Sequence, residues 1–159
     1  MTRTSLDHHN CSFARTVDLV GDRWSLMILR DAFFGIRRFS LFKQRLGITQ
    51  AVLSARLSHL VDCGLLRREA IDEDGSREEY RLTNKGRALF PVVVALMQWG
   101  DQWVHGEQGA PLILFDAGTG AELDRLSITA AGAAVQPQRI GIAAGPGATL
   151  HTQQLFNQA

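Results

Sequence analysis

Cysteine is almost missing from this 159-residue chain: Cys11 and Cys63 are its two. That is too few for a disulfide framework or a Cys-rich zinc site. Proline is scarce as well, with four residues, of which Pro111, Pro137 and Pro146 fall in the last third. Long apolar runs are lacking. Uncharged apolar runs such as residues 25–29 and 91–97 fall far short of the roughly 20 residues that span a bilayer. No basic start leads into an apolar stretch, so no signal peptide is expected and the cytoplasm is the expected location. Neither sign of charge dominates, with 17 Lys and Arg against 16 Asp and Glu. There is no Gly-rich phosphate loop, no paired Cys/His nucleophile set and no plausible pair of carboxylates for acid–base work. An enzyme is therefore not expected, nor a cofactor.

What is present is an ordinary globular composition, 45% hydrophobic and 21% charged, unevenly distributed. Up to His105 there are 15 basic and 12 acidic residues, a surplus of three positive charges; from Gly106 onward 2 bases face 4 acids. Between Arg37 and Arg68 lie seven bases and a single acid, Asp62. This local surplus is the one charge feature large enough to suggest a polyanionic partner. A merely solvated basic face would look the same.

Up to about His105 the periodicity is helical. Residues 12–20 read as a short helix closed by Gly21. Residues 24–34 are apolar around most of the helix circumference, as in a buried central helix. Ser40 can cap a third helix, preceded by Phe39 as in a hydrophobic staple, and Gly47 ends it. Thr49 can cap a fourth, in which Leu53, Leu57, Leu60 and Val61 form one stripe and Gly64 the stop. Two strand-like runs follow, 65–71 and 77–82, separated by Asp72-Glu73-Asp74-Gly75-Ser76, where Asp-Gly signals a hairpin. Thr83 then caps a long helix to about Val104, with a kink expected at Pro91. Beyond it 8 of 54 residues are Gly and 11 are Ala. Leu112-Ile113-Leu114-Phe115 and residues 123–128 and 138–143 are candidate strands, and 145–159 reads as a mobile end.

A short helix, a tight Gly-containing turn and a second helix make a helix-turn-helix, and the hairpin directly after it makes the motif winged. Several motifs then coincide in order. Cys11 precedes the first helix. Gly21-Asp22-Arg23-Trp24-Ser25-Leu26-Met27-Ile28-Leu29-Arg30 and Gly35-Ile36-Arg37-Arg38-Phe39 follow. Then come residues 53–60, Gly64-Leu65-Leu66-Arg67-Arg68, Glu79-Tyr80-Arg81-Leu82-Thr83-Asn84-Lys85-Gly86 and Trp99-Gly100. Together they resemble the HxlR-type winged helix-turn-helix transcriptional regulators, over about residues 11–103. The resemblance implies a dimeric, DNA-binding regulator.

The expected class is mainly α with a small β wing (α+β). The chain divides into a flexible N-terminus (1–10), a winged helix-turn-helix DNA-binding and dimerisation domain (11–105), a small β-rich extension (106–144) and a flexible tail (145–159). Facing away from the leucine stripe are Ala51, Val52, Ala55, Arg56 and His59, flanked by Ser54 and Ser58. With Thr49 and Gln50 at the helix N-terminus, this is the face to enter a major groove. Arg37, Arg38 and Lys43 suit phosphates, and Arg77 at the wing tip suits the minor groove. The small Ala51, Ala55 and Ser58 depart from the long polar side chains usual in such helices. Readout then leans on Gln50, Arg56, methyl contacts and DNA shape. The acidic wing turn departs too and should point away from phosphates.

Phe13, Val17, Leu89, Val93, Leu96 and Trp103 are the apolar residues expected to join two protomers. Cys11 at the start of the first helix is the redox-sensing candidate, because a helix N-terminus favours a thiolate. Cys63, at a helix C-terminus, is expected to be inert. Trp24, Trp99 and Trp103 read as core or dimer interface, with a ligand pocket the weaker alternative. His8, His9 and Cys11 read as a polar terminus, and no metal site is expected. The expected function is a dimeric regulator on an inverted-repeat operator, a repressor answering a small molecule or a redox signal. The alternative is a redox- or ligand-sensing interaction protein with weak or non-specific DNA binding. Expected partners are double-stranded DNA and a second copy of the chain. A small-molecule effector is left open, and no membrane is involved.

Overall fold

A computed structural model describes residues 5–72 and 77–156. The expected wing turn at Glu73, Asp74, Gly75 and Ser76 lies outside them. Four helices open the chain: α1 (Ser12–Val20), α2 (Arg23–Phe33), α3 (Phe39–Leu46) and α4 (Gln50–Asp62). Strands β1 (Leu66–Ala70) and β2 (Glu78–Leu82) form an antiparallel pair in the register Leu66↔Leu82 and Arg68↔Tyr80. Helices α5 (Asn84–Arg87) and α6 (Phe90–Gly100) follow. Among the described residues no helix is long and apolar enough to cross a membrane.

Each start and stop has a local cause. Asp22 caps α2 by accepting from the backbone N–H groups of Trp24 and Ser25 at 2.9 and 3.2 Å, which offsets two of the helix's orphan donors. Thr49 caps α4 through the N–H of Val52 at 3.3 Å. Gly64 ends α4 in the left-handed region at φ 69°. There its N–H donates to the Val61 carbonyl and the Leu65 N–H to the Leu60 carbonyl. This double bond closes a helix and puts two buried leucines in contact range.

Two expectations are corrected. Ser40 does not cap α3. The helix starts at Phe39, the extended Arg38 precedes it, and no side chain caps it; the half-buried Phe39 packs on the core and pins the first turn there. The expected long helix kinked at Pro91 is instead two helices. Pro91 stands in the first turn of α6, where its missing N–H costs no bond, and α5 is a separate single turn.

The core cluster draws on α1, α2, α3, α4 and the wing. Ile28, Leu29, Phe42, Leu53, Leu57 and Leu60 are completely buried. The stripe expected on α4 thus faces inward, with Val61 half-buried beside it. One charge is buried with it. Asp31 is fully enclosed and paired to Arg30 at 2.7 Å and to Arg45 of α3 at 3.3 Å. An enclosed carboxylate requires such partners, so this pair ties α3 to α2.

The wing root is fixed by the Leu82-Thr83-Asn84-Lys85-Gly86 segment. The Thr83 hydroxyl donates to the Gly64 carbonyl at 2.7 Å, and Lys85 Nζ to the Cys63 carbonyl at 2.7 Å. A Cβ on Gly86 would stand 2.1 Å from the Leu65 carbonyl oxygen, so only glycine lets α5 approach β1 this closely.

After α6 the chain makes a wide π turn at Asp101–His105 and loses compactness. Residues 106–156 contain no buried residue. Their β structure is confined to the hairpin of β3 (Thr129–Ala130) and β4 (Ala133–Ala134) and a bridge between Phe115 and Glu122. The strands expected over 123–128 and 138–143 do not form. Aliphatic runs are strand-prone only when a partner strand packs beside them. A helix not foreseen, α7 (Leu150–Phe156), ends the described chain.

Candidate nucleic-acid interface

Helices α3 and α4 are joined by Gly47, Ile48 and Thr49. Gly47 turns left-handed at φ 62° and Ile48 is buried. The turn is therefore short and anchored, and it leaves the N-terminal half of α4 projecting. Thr49, Gln50, Ala51, Ser54 and Ala55 are exposed. Thr49 spends its hydroxyl on the cap. Ser58 is half-buried and accepts from Arg68 of β1 at 3.3 Å.

Arg56 and His59 lie differently from their expected outward direction. Arg56 Nε sits 3.4 Å from Asp22 Oδ1 at the start of α2. His59 Nε2 is 2.8 Å from the carbonyl oxygen of Leu19 in α1. Both side chains thus tie α4 to the first two helices. Burial pushes the Asp22 carboxyl up, but the Ser25 hydroxyl, the Ser25 and Trp24 N–H groups and the Arg56 charge outweigh it. The carboxyl is held below its usual value. The exposed surface of the N-terminal half of α4 is consequently smooth: one glutamine, two alanines, a serine and a capping threonine, with the exposed Asp62 at the far end of the helix.

Charge stands around this surface rather than on it. Arg38, Lys43 and Arg77 are exposed and make no ion pair among the described residues. Arg38 and Arg77 line an open groove of about 350 Å³ together with Phe39, Ser40, Ile71 and Glu78, where the start of α3 meets the wing. Arg37 is half occupied. Its backbone carbonyl accepts from the Tyr80 N–H at 2.8 Å, docking the wing, and its guanidinium lies 3.9 Å from Glu79. On the wing's outer side Arg67 and Arg81 are spent on Glu69 and Glu79. Hydrogen bonding from Arg67 holds the half-buried Glu69 carboxyl below its usual value.

The residues expected to join two protomers separate into two sets. Phe13, Leu96 and Trp103 are exposed, Val17 is half-buried, Val93 is buried within the protomer and Leu89 packs on its core. Trp99 is also exposed, whereas Trp24 packs on the core under the Arg23 guanidinium, 5.0 Å from its ring. Cys11 is exposed just before α1 and lines an open cavity of about 700 Å³ with His9, Arg15 and residues of the C-terminal segment. The Arg15 guanidinium donates to the Asp7 carbonyl. Cys63 is half-buried, with its sulfur 3.7 Å from the His59 ring.

Sequence reasoning passed over Asp22, Asp31, Asn10 and Gln98. Asp22 carried a readable signal, an Asp directly before an apolar helical run. Asp31 is a lone acid in an otherwise apolar helix, which is a cue for a buried ion pair. Asn10 and Gln98 bind distant backbone, and no local pattern announces that.

Comparison with known proteins gives one consistent answer. The profile of the HxlR-like helix-turn-helix family matches residues 19–108. An HTH-type transcriptional regulator of Mycobacterium tuberculosis is 44% identical over 137 residues, 86% of this chain and 87% of that protein. The Bacillus subtilis HTH-type transcriptional regulator YvaP is 36% identical over 93 residues, 58% of this chain and 86% of its own. Among solved structures, PA1607, named as a candidate transcription factor, superposes with a TM-score of 0.83 at 38% identity, covering 89% of this chain and all of that one. The redox regulator HypR in its oxidised form superposes with a TM-score of 0.54 at 31% identity, over 58% of this chain and 96% of that one.

Proposed function

The chain belongs to the HxlR-like helix-turn-helix family and is a DNA-binding transcriptional regulator of the helix-turn-helix type, and from that premise we propose that it acts as a homodimeric repressor on an inverted-repeat operator. The observation that carries the reading is the projecting, uncharged face of α4 framed by Arg38, Lys43 and Arg77. A small polar face admits close approach to base edges and thymine methyls, while the framing cations hold the phosphates. Thr49, Gln50, Ala51, Ser54, Ala55 and Ser58 then line the major groove, with Arg37 and Arg56 at its edge. Arg56 reaches a base or phosphate only by leaving Asp22.

Two protomers joined through Phe13 of α1 and through Leu96 and Trp103 near the end of the domain would carry paired α4 helices. Half-sites about 34–36 Å apart suit such a pair. The redox signal is the favoured input because Cys11 is exposed at the start of α1, inside the proposed pairing face. Peroxide would convert its thiolate to a sulfenic acid and be reduced to hydroxide.

The test is binding to the chain's own promoter fragment against scrambled DNA at one stated salt concentration. Arg38→Ala and Lys43→Ala should weaken both alike and reduce the log–log salt slope by about 0.9 each. Equal affinity for the two DNAs would sink the operator reading and leave the non-specific alternative. Unchanged operator affinity after peroxide would remove the redox input alone.

A further inference from the structure

Residues 106–156 follow the domain without contributing one buried side chain. They nevertheless hold a defined path, tied down at two places by side-chain amides. Gln98 of α6 donates to the Asp124 carbonyl at 3.0 Å and accepts from the Leu126 N–H at 2.9 Å. Asn10, just before α1, donates to the Gly147 carbonyl at 3.2 Å. Its oxygen accepts from the Thr149 N–H at 3.0 Å and the Thr152 hydroxyl at 2.9 Å. A handful of hydrogen bonds does not offset the entropy of ordering such a length, and apolar burial normally does. The apolar side chains for it are present but uncovered: Phe115 is 60% exposed, Ile128 74% and Ile142 70%.

We propose that residues 106–156 are a dimer arm, whose exposed apolar side is covered by a second copy of this chain. The inference rests on the homodimer reading above and extends it to the part of the chain beyond the winged domain. Three observations choose this occupant. The anchors stand just before α1 and on α6, next to the elements that carry the exposed Phe13 and Leu96, so the arm with its uncovered apolar side chains is fastened beside the proposed pairing face. Area points the same way. A specific interface takes about 800 Å² and 20–30 residues from each partner, and the arm adds exposed apolar residues to what the two helices offer. Charge completes the argument. The arm carries 4 acids and 2 bases against the domain's surplus of three positive charges, so it suits another domain and is repelled by DNA.

The experiment is sedimentation equilibrium of the full chain and of its Phe115→Glu, Ile128→Glu and Ile142→Glu variants, with thermal unfolding of each at dilutions where it is monomeric. The expected result is a dimer for the parent chain, at least tenfold weaker association for the variants, and unchanged monomer unfolding. A parent chain that is monomeric at 10-fold above micromolar concentration overturns the homodimer reading and the arm with it. A dimeric parent whose variants associate within twofold of it overturns the arm and leaves a helix-only dimer standing. Variants that unfold early as monomers also overturn the arm, because those side chains would then belong to the protomer's own packing.

Discussion

Between residues 20 and 94 the described chain buries thirteen apolar side chains; from residue 106 to 156 it buries none. The two regions use similar aliphatic residues, and their arrangement separates them. In the domain, leucines recur at helical spacing and every helix of the first four ends on a glycine, an aspartate cap or a short anchored turn, so one face of each element meets a common centre. In the extension, Leu, Ile and Phe fall among Gly and Ala with no sustained helical period, so they do not close on a core of the protomer and the segment is fastened to it by amide side chains instead. Hydrophobic content therefore does not make a core; phase does.

Four sets of substitutions break or sharpen that contrast. The largest effect is expected at the centre. Leu57→Ala should lower unfolding free energy by about 3 kcal/mol in urea denaturation, while Ile142→Ala at monomeric dilution should change it by less than about 0.5 kcal/mol. A comparable loss at Ile142 would show a second core. Next is Gly86→Ala, which forces a Cβ against the Leu65 carbonyl and should cost about 2 kcal/mol. Gly141→Ala, in open space, should change nothing measurable by the same assay.

A smaller and pH-dependent effect is expected at Asp22. Asp22→Ala removes the α2 cap, at about 1 kcal/mol. Because the folded carboxyl is held below its ordinary value of 3.8, its charge stabilises the fold above that pH, and the contribution is lost as pH falls toward the folded value. Asp22→Asn keeps a capping oxygen, so its deficit against the parent chain should shrink on acidification below about pH 4. A deficit constant down to pH 2 would contradict the role of the charge. The smallest effect belongs to the extension. Gln98→Leu should leave global stability within about 0.5 kcal/mol while the Leu126 amide exchanges its hydrogen faster.

The legible parts of the sequence were those with local causes. Gly47 and Gly64 mark real left-handed helix ends, Thr49 is a real cap, and the Leu53–Leu57–Leu60 stripe fills the core. Boundaries governed by a neighbour were less visible. Phe39 on the core moved the start of α3 away from Ser40, and Pro91 was read as a kink although a first-turn position also accommodates it. For the interface, periodicity gives the direction of a Cα–Cβ bond but not where a long side chain ends. Arg56 points outward by that measure, yet its guanidinium swings back to Asp22. The bridges from Asn10 and Gln98 span 137 to 142 and 26 to 28 positions along the chain, beyond the reach of any window of local pattern.

The smooth face of α4 bears on how such a protein can change over generations. Ala51, Ser54 and Ala55 are exposed, so substitutions there leave folding almost untouched. A change such as Ala55→Arg or Ser54→Asn could add a new base contact in one step. The bonds that hold the helix in place, from Arg56, His59 and Arg68, lie on its flanks and would persist. If the proposed groove contact of α4 holds, target preference is separable from architecture: one scaffold would be retuned to a new promoter by single codon changes, without a destabilised intermediate.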